Sequence, residues 1–454
     1  MASAAEQLAS NFSFSAFGKA TELKKRLLFT LAALVVYRLG TYIPIPGIDT
    51  EVFSQIYGQL SGGVLGMFNV FAGGALERMT IFALNIMPYI SAAIIMQLMT
   101  AVSPKLNALK KEGESGRKKI NQYTRYGTVV LAAAQAYGIA IGLESAQGPT
   151  GGAVIDPGLF FRISTVITLT GGTIFLMWLG EQITQRGVGN GISLIIYAGI
   201  VANMPMAIAQ LFELGGAGGF ASSPVGSSLI TIFILAMSVG VVAFVVFMER
   251  AQRRILVQYP KRQMGNRMFG GESSHLPLRL NPSGVIPPIF ASSLLLMPLT
   301  VASFSGEGGP AWLSFVTAYL GPGQPLYMLL FAGMIIFFAF FYTSIVFNPN
   351  DTADNLKKYG GFIPGIRPGK NTAEYIEYVT NRLVTVGSLY LAAVCLLPEF
   401  VRLEYPAVPL YFGGTSLLII VSVTMDTVGQ IHSHLLAQQY EGLIKKSRLK
   451  GKQR

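Results

Sequence analysis

Residues 61–79, SGGVLGMFNVFAGGALERM, are apolar enough for a membrane interior and too short to cross one. A helix needs about 20 mostly apolar residues to cover a hydrocarbon core of ~30 Å. The usable run here, Val64 to Leu76, is studded with glycine and closed by Glu77 and Arg78. A half-helix of this kind has to be explained by what surrounds it.

The surroundings are those of an integral membrane protein. Of 454 residues, 51% are hydrophobic and 12% are charged, where an ordinary soluble protein carries roughly 25% charged residues. Lys24, Lys25 and Arg26 lead straight into a full-length span, without the short apolar run and small-residue site of a removable leader, so no cleavage is expected. The single cysteine, Cys395, excludes a disulfide framework and a CxxC site. His275, His432 and His434 are too scattered for a metal site, and no metal or other cofactor is expected.

Ten apolar windows of spanning length follow one another, at about 24–43, 80–100, 124–143, 161–180, 188–208, 228–248, 283–303, 325–347, 380–398 and 409–430. Positive charge checks this count, because Lys and Arg are retained on the cytoplasmic side during insertion. With both termini in the cytoplasm, the inner segments hold 30 of the 34 Lys and Arg residues. The outer segments hold three, Arg78, Arg162 and Arg402, and Arg38 lies in the first span. A missed or extra span would scramble that division.

The spans are nearly free of charge, which argues against an ion-coupled secondary transporter or lipid flippase, the main alternative for this helix count. Arg38 and Asp426 lie toward span ends, where snorkelling to the interface accounts for them. Proline and glycine interrupt the helices in NIMPYI, GVGNGI, SGVIPPIF and FGGTSLLI. Such breaks are tolerated where neighbouring helices or a water cavity satisfy the freed backbone, and close packing of small residues is the other reading. A purely structural scaffold is a third class. Three inner segments are long and basic, beginning at Ser103, Met248 and Asn348. Topology alone needs only a few charges near each span, so these segments suit docking on a polyanion or an acidic protein surface. No nucleophile and base pair, phosphate loop or nucleotide motif is present, and the chain is not expected to be an enzyme.

Several motifs together carry a resemblance: IPIPGID at 43–49, MFNVFAGGAL at 67–76, NIMPYISAAIIMQL at 85–98, KKEGESGRKKINQYTRYGT at 110–128, LGEQIT from 179, HLPL from 275, GVIPPIFASS at 284–293, DTADNLKK at 351–358, FIPGIRPG at 362–369 and YFGGTSLLI at 411–419. From about residue 20 to the C-terminal tail, the chain resembles the bacterial SecY family, the pore-forming subunits of the protein-secretion channel. The resemblance implies an all-α membrane protein of the bacterial inner membrane, with ten transmembrane helices in two inverted halves of five and a re-entrant plug helix. Its parts would be a cytoplasmic tail at 1–23, an N-terminal half at 24–212, an external hinge at 213–226, a C-terminal half at 227–430 with cytoplasmic loops near 249–282 and 348–379, and a cytoplasmic tail at 431–454.

Under this resemblance the opening stretch becomes the plug, about 62–75. It would start at Gly62, make apolar contacts through Met67, Phe68 and Phe71, and attach flexibly at Gly73 and Gly74. Asn69 is its one polar side chain and either faces water or serves the plug. Carried over by motif, the pore ring is Ile86, Ile90, Ile192, Ile196, Ile289 and Ile419. Branched aliphatic groups exclude water and ions from an empty constriction and offer no hydrogen bond to trap a passing chain. Ser91, Thr124, Asn190 and Ser292 fall near the implied lateral gate, where weak polar contacts would hold the seam shut. Lys261, Arg262, Arg267 and Arg367 are the implied docking residues for the SecA motor ATPase or a translating ribosome. The remaining implied partners are SecE-like and SecG-like membrane subunits, unfolded polypeptides with signal sequences, and lipid.

Overall fold

A computed structural model of the chain describes residues 21–60, 64–148, 151–216, 224–259, 262–264, 267–269, 273–304, 319–321, 323–404 and 413–451. The N-terminal half contains α1 (Thr21–Gly40), α2 (Thr50–Leu60), α3 (Val64–Ala72), α4 (Met87–Val102), α5 (Pro104–Lys111), α6 (Glu114–Ser145), α7 (Leu159–Arg186) and α8 (Gly191–Gly216). The C-terminal half contains α9 (Pro224–Arg250), α10 (Ile286–Phe304), α11 (Pro325–Val346), α12 (Pro349–Lys358), α13 (Lys370–Glu404) and α14 (Gly414–Gly451).

A helix overlaps each of the ten predicted windows. Among the described residues, seven helices are long and apolar enough to cross a membrane: α6, α7, α8, α9, α11, α13 and α14. The α4–α5 pair makes an eighth if it is counted as one span bent by 98°. The bend has a local cause: Ser103 is extended (φ −88°, ψ 119°) ahead of Pro104, a residue that starts a helix and cannot continue one. Gly113, at φ +81°, then turns α5 into α6. α10 is 19 residues long, and α1 carries basic residues near both ends.

The connections between the helices depart from an all-helical reading. Gln252–Gln258 (β3) pairs antiparallel with Ser273–Arg279 (β6), with Ile255 opposite Leu276, and Arg262–Met264 (β4) pairs with Arg267–Phe269 (β5). β1 (Gln147–Gly148) and β2 (Gly151–Gly152) form a small hairpin. Gln258 and Phe362 exchange two backbone hydrogen bonds of 2.9 Å, and Ile255, Leu278, Ile363 and Ile376 bury one another. Two basic segments separated by about a hundred residues therefore form a single unit with its own small core.

One large apolar cluster runs through both halves. Within it α3 packs between α8 and α10, and α10 also meets α4, α6 and α11. The short greasy helix of the opening stretch thus lies where the halves meet, surrounded by protein. That placement makes its length tolerable at membrane depth.

Candidate functional site

The site is organised around the end of α3. A helix leaves its last carbonyls without intrahelical partners, and three side chains from flanking elements take them here. The Asn85 amide donates to the Phe71 carbonyl, the Tyr37 hydroxyl to Ala72 O at 3.5 Å, and the Arg38 guanidinium to Gly73 O at 2.8 Å. Arg38 therefore does more than snorkel, because it holds the exit of α3 from the end of α1. Asn85 sits at φ +48°, a conformation that asparagine tolerates better than bulkier residues, just before α4 begins.

Gly73 and Gly74 are a tight corner rather than a slack attachment. Both have positive φ, and a Cβ on Gly73 would lie 2.7 Å from the Gly199 Cα of α8. Phe68 and Phe71 are buried. Asn69 does not face water: it is buried, its amide reaches Glu77 Oε2 at 3.4 Å, and its side-chain oxygen accepts the Glu77 N–H at 3.2 Å. Gly62 and the Met67 side chain lie outside the described residues.

Beside α3, four of the six isoleucines line one small cavity: Ile86, Ile90, Ile196 and Ile289, together with Phe71, Ser292 and Ser293. A second cavity, lined by Val70, Cys395, Glu399 and Ser416 among others, shares Phe71 and Ser292 with the first. Those two side chains therefore stand between the cavities. The other two isoleucines do not line the first cavity. Ile419 is fully buried in α14, and Ile192 lies near Gly180 of α7, its Cγ1 3.1 Å from where a Cβ on that glycine would be.

Three of the four polar residues expected near the seam bond locally. The Thr124 hydroxyl donates to Ile120 O and the Ser292 hydroxyl to Ile289 O, each at 3.0 Å within its own helix. The Asn190 side chain accepts from Ile192 N at 3.2 Å at the start of α8, and Ser91 is buried in α4. A hydroxyl on an apolar helix reaches its own preceding turn more readily than a distant partner. The neighbouring Ser293, whose hydroxyl also donates to Ile289 O at 2.8 Å, adds a contact from α10 to α4 at 3.7 Å from Met87 Sδ. One position is 100° around a helix, and motif position alone did not resolve that difference.

Near the junction of α4 and α5, Lys110 donates to Ile345 O at 3.2 Å beside a cleft of about 420 Å³ that also includes Gln97, Thr124 and Tyr342. Burial, and then the nearby Arg117 charge, push the Lys110 ammonium below the ordinary lysine range. Where the chain enters α10, Asn281 donates to Glu249 Oε1 at 2.9 Å and to Gly284 O at 3.0 Å, and the Tyr390 hydroxyl donates to the same Glu249 oxygen at 3.2 Å. This clasp joins α9, α10 and α13, and no motif indicated it.

On the basic unit, Arg367 is exposed and its carbonyl accepts the Thr372 hydroxyl at 3.0 Å. Arg262 and Arg267 belong to the paired strands β4 and β5, their side chains lying outside the described residues, as does Lys261 altogether. Among the described residues, no group of His, Cys, Asp and Glu could hold a metal ion.

The SecY family pattern matches residues 80–428. Over 438 residues, the chain is 56% identical to the protein translocase subunit SecY of Escherichia coli (strain K12), covering 96% of this chain and 97% of that one. Identity to the SecY of Rickettsia conorii is 54%, over 94% of this chain and 97% of that one. The chain belongs to the SecY family. SecY-type architecture is also what the solved structures share with it. "The structure of a protein conducting channel" aligns at a TM-score of 0.63 with 17% identity, covering 91% of this chain and 92% of that one. A structure of Sec61 in the canine ribosome-channel complex from the endoplasmic reticulum aligns at 0.57 with 16% identity, again over 91% and 92%. A third, at 0.62 and 18% identity over the same shares, is described as showing that the plug domain of SecY stabilises the closed translocation channel and maintains a membrane seal.

Proposed function

We propose that this SecY-family chain is the protein-conducting channel subunit of a bacterial translocase, closed by two seals. One seal is α3 acting as a plug. The other is an aliphatic constriction formed by Ile86, Ile90, Ile196 and Ile289, with Ile192 and Ile419 joining when the halves move. The observation that carries this reading is the cavity in which those four isoleucines meet Phe71 of α3. An apolar constriction of this kind resists wetting when empty and presents nothing to which a moving peptide would bond.

Family membership and the fold support the rest of the reading. Ten spans form two inverted halves joined near 213–226, an arrangement in which an odd number of spans per half suits an inverted repeat. The chain lies in the inner membrane with both termini cytoplasmic. Unfolded secretory polypeptides cross it, and membrane helices leave sideways between α4–α6 and α10–α11, where Ser91, Thr124, Asn190 and Ser292 lie near the seam. Energy comes from SecA or a translating ribosome, docked on the basic unit that carries Lys261, Arg262, Arg267 and Arg367. SecE-like and SecG-like subunits complete the assembly.

Single-channel recording on the reconstituted complex tests the two seals. Deleting 62–75 removes one, and replacing Ile86, Ile90 and Ile289 with serine wets the other. Each change alone is expected to give small ion currents, and the combination larger than additive ones, with export of substrates whose signal sequences are defective. A tight, silent combined variant would place the pore elsewhere.

A further inference from the structure

Arginines in the outer segments or at the outer end of the first span are rare in this chain, and each whose side chain is described asks for a reason. Arg162 has one, a carboxylate: its guanidinium reaches Glu144 Oε2 at 2.6 and 2.8 Å. Arg38 and Arg78 do not. Both converge on Tyr42, their guanidinium carbons 5.0 and 4.2 Å from the ring centroid, and Arg38 also donates to the Tyr42 hydroxyl at 3.0 Å. Among the described residues, neither guanidinium lies within ion-pair distance of a carboxylate. The adjacent acid, Glu77, is turned toward Asn69. A guanidinium has five N–H donors, and the two bonds Arg38 makes to Gly73 O and Tyr42 leave it donors to spare.

Two positive charges thus share one tyrosine at the outer end of α1. Tyr42 is itself 54% exposed, and Leu31, Val35 and Leu39, spaced by four along α1, are 63%, 50% and 64% exposed. Residues at that spacing form one stripe on a helix. The stripe runs from membrane depth up to the paired guanidiniums, and an amphipathic tyrosine marks the interface between them.

We propose that Arg38 and Arg78 hold the headgroup phosphate of an anionic phospholipid of the outer leaflet, with an acyl chain lying along Leu31, Val35 and Leu39. Guanidinium binds phosphate oxygens through paired hydrogen bonds, and its weak hydration lowers the cost of doing so at an interface. The charge favours lipid over a protein occupant. The cations sit at headgroup level directly beside an apolar face, where a partner helix would have to supply a carboxylate at the same depth. This inference needs no conduction, so its failure leaves the channel reading intact.

Native mass spectrometry of the complex, with the subunits that co-purify, tests it by titration with dioleoyl-phosphatidylglycerol, dioleoyl-phosphatidylcholine and inorganic phosphate. The intact complex should bind one phosphatidylglycerol in preference to phosphatidylcholine. Each basic residue contributes enough near an anionic lipid that Arg78→Gln should weaken this binding about five-fold and the Arg38→Gln/Arg78→Gln pair about thirty-fold. Arg38→Gln also disturbs the end of α3, so the single Arg78→Gln variant is decisive if the pair fails to assemble. Val35→Asn should weaken phosphatidylglycerol binding and leave inorganic phosphate binding unchanged. Equal phosphatidylglycerol binding in wild type and Arg78→Gln overturns the proposal. Displacement of the lipid by inorganic phosphate at equal concentration would overturn it in favour of a plain anion site, and crosslinking of Leu39→Cys to a protein subunit with exclusion of lipid would overturn it in favour of a protein interface.

Discussion

Gly73, Gly199 and Asn85 fix the short helix more tightly than their small size suggests. A Cβ on Gly73 would combine a positive φ with a 2.7 Å approach to Gly199 Cα, and one on Gly199 would lie 3.0 Å from the Phe71 carbonyl. Overpacking against backbone costs ~1–3 kcal/mol, so Gly73→Ala should loosen α3 and produce small ion currents like those of the 62–75 deletion. Gly58→Ala in α2, where a Cβ meets nothing within 4 Å, is the matched control and should stay silent. Currents from both variants, or from neither, would remove the close contact from the explanation. Asn85→Ala strips the buried Phe71 carbonyl of a donor, a loss of about 1–3 kcal/mol, and adds strain at φ +48°. Asn85→Gly relieves the strain but not the lost bond. If the bond is what matters, the two variants should conduct alike in bilayer recordings; if the backbone matters, only alanine should leak.

Among the elements, α10 and the basic β unit carry the sharpest expectations. The turn entering α10 is held by Asn281, which bonds Glu249 and Gly284 and accepts the Ser283 hydroxyl at 3.0 Å. Removing a side chain that makes several buried hydrogen bonds leaves its partners unsatisfied. Asn281→Ala should therefore release the start of the helix that bears Ile289, Ser292 and Ser293. The readout is export of a substrate with a defective signal sequence, which should rise if the clasp holds α10 closed. No change would make the clasp a mere folding contact. On the basic unit, reversing Lys261, Arg262 and Arg267 should weaken ribosome association with a reduced slope against salt, because each lost phosphate contact releases fewer counterions. Arg367→Glu should impair SecA-driven export while leaving the protein assembled, since among the described residues its exposed guanidinium has no hydrogen-bond or ion-pair partner. Normal export by the assembled variant would exclude it from the docking surface.

At the level of the whole molecule, orientation is the property to measure, and the protein supplies its own blank. Cys395, the single cysteine, is buried, so a membrane-impermeant thiol reagent reads only cysteines introduced elsewhere. Asp354→Cys on α12 should label from the cytoplasmic side and Asp156→Cys, ahead of α7, from the outside; the reverse would invert the topology. The location of the spans was legible in the residues themselves, because insertion depends on local hydropathy, a linear property of a chain; the distribution of Lys and Arg sets the expected direction in the same way. The half-helix was legible for the same reason: a thirteen-residue run cannot span a core of about 30 Å, wherever it ends up. Its anchorage was not. Tyr37, Arg38 and Asn85 reach the end of α3 from positions 14 to 35 residues away, and Gln258 meets Phe362 from 104. Which serine of a pair faces the seam, whether a hydroxyl bonds across it or back to its own turn, and whether two glycines flex or lock all depend on the atoms brought beside them. Only the packed structure decides those points, because hydrogen bonds and close contacts act over a few ångströms in space, however far apart their partners lie along the chain.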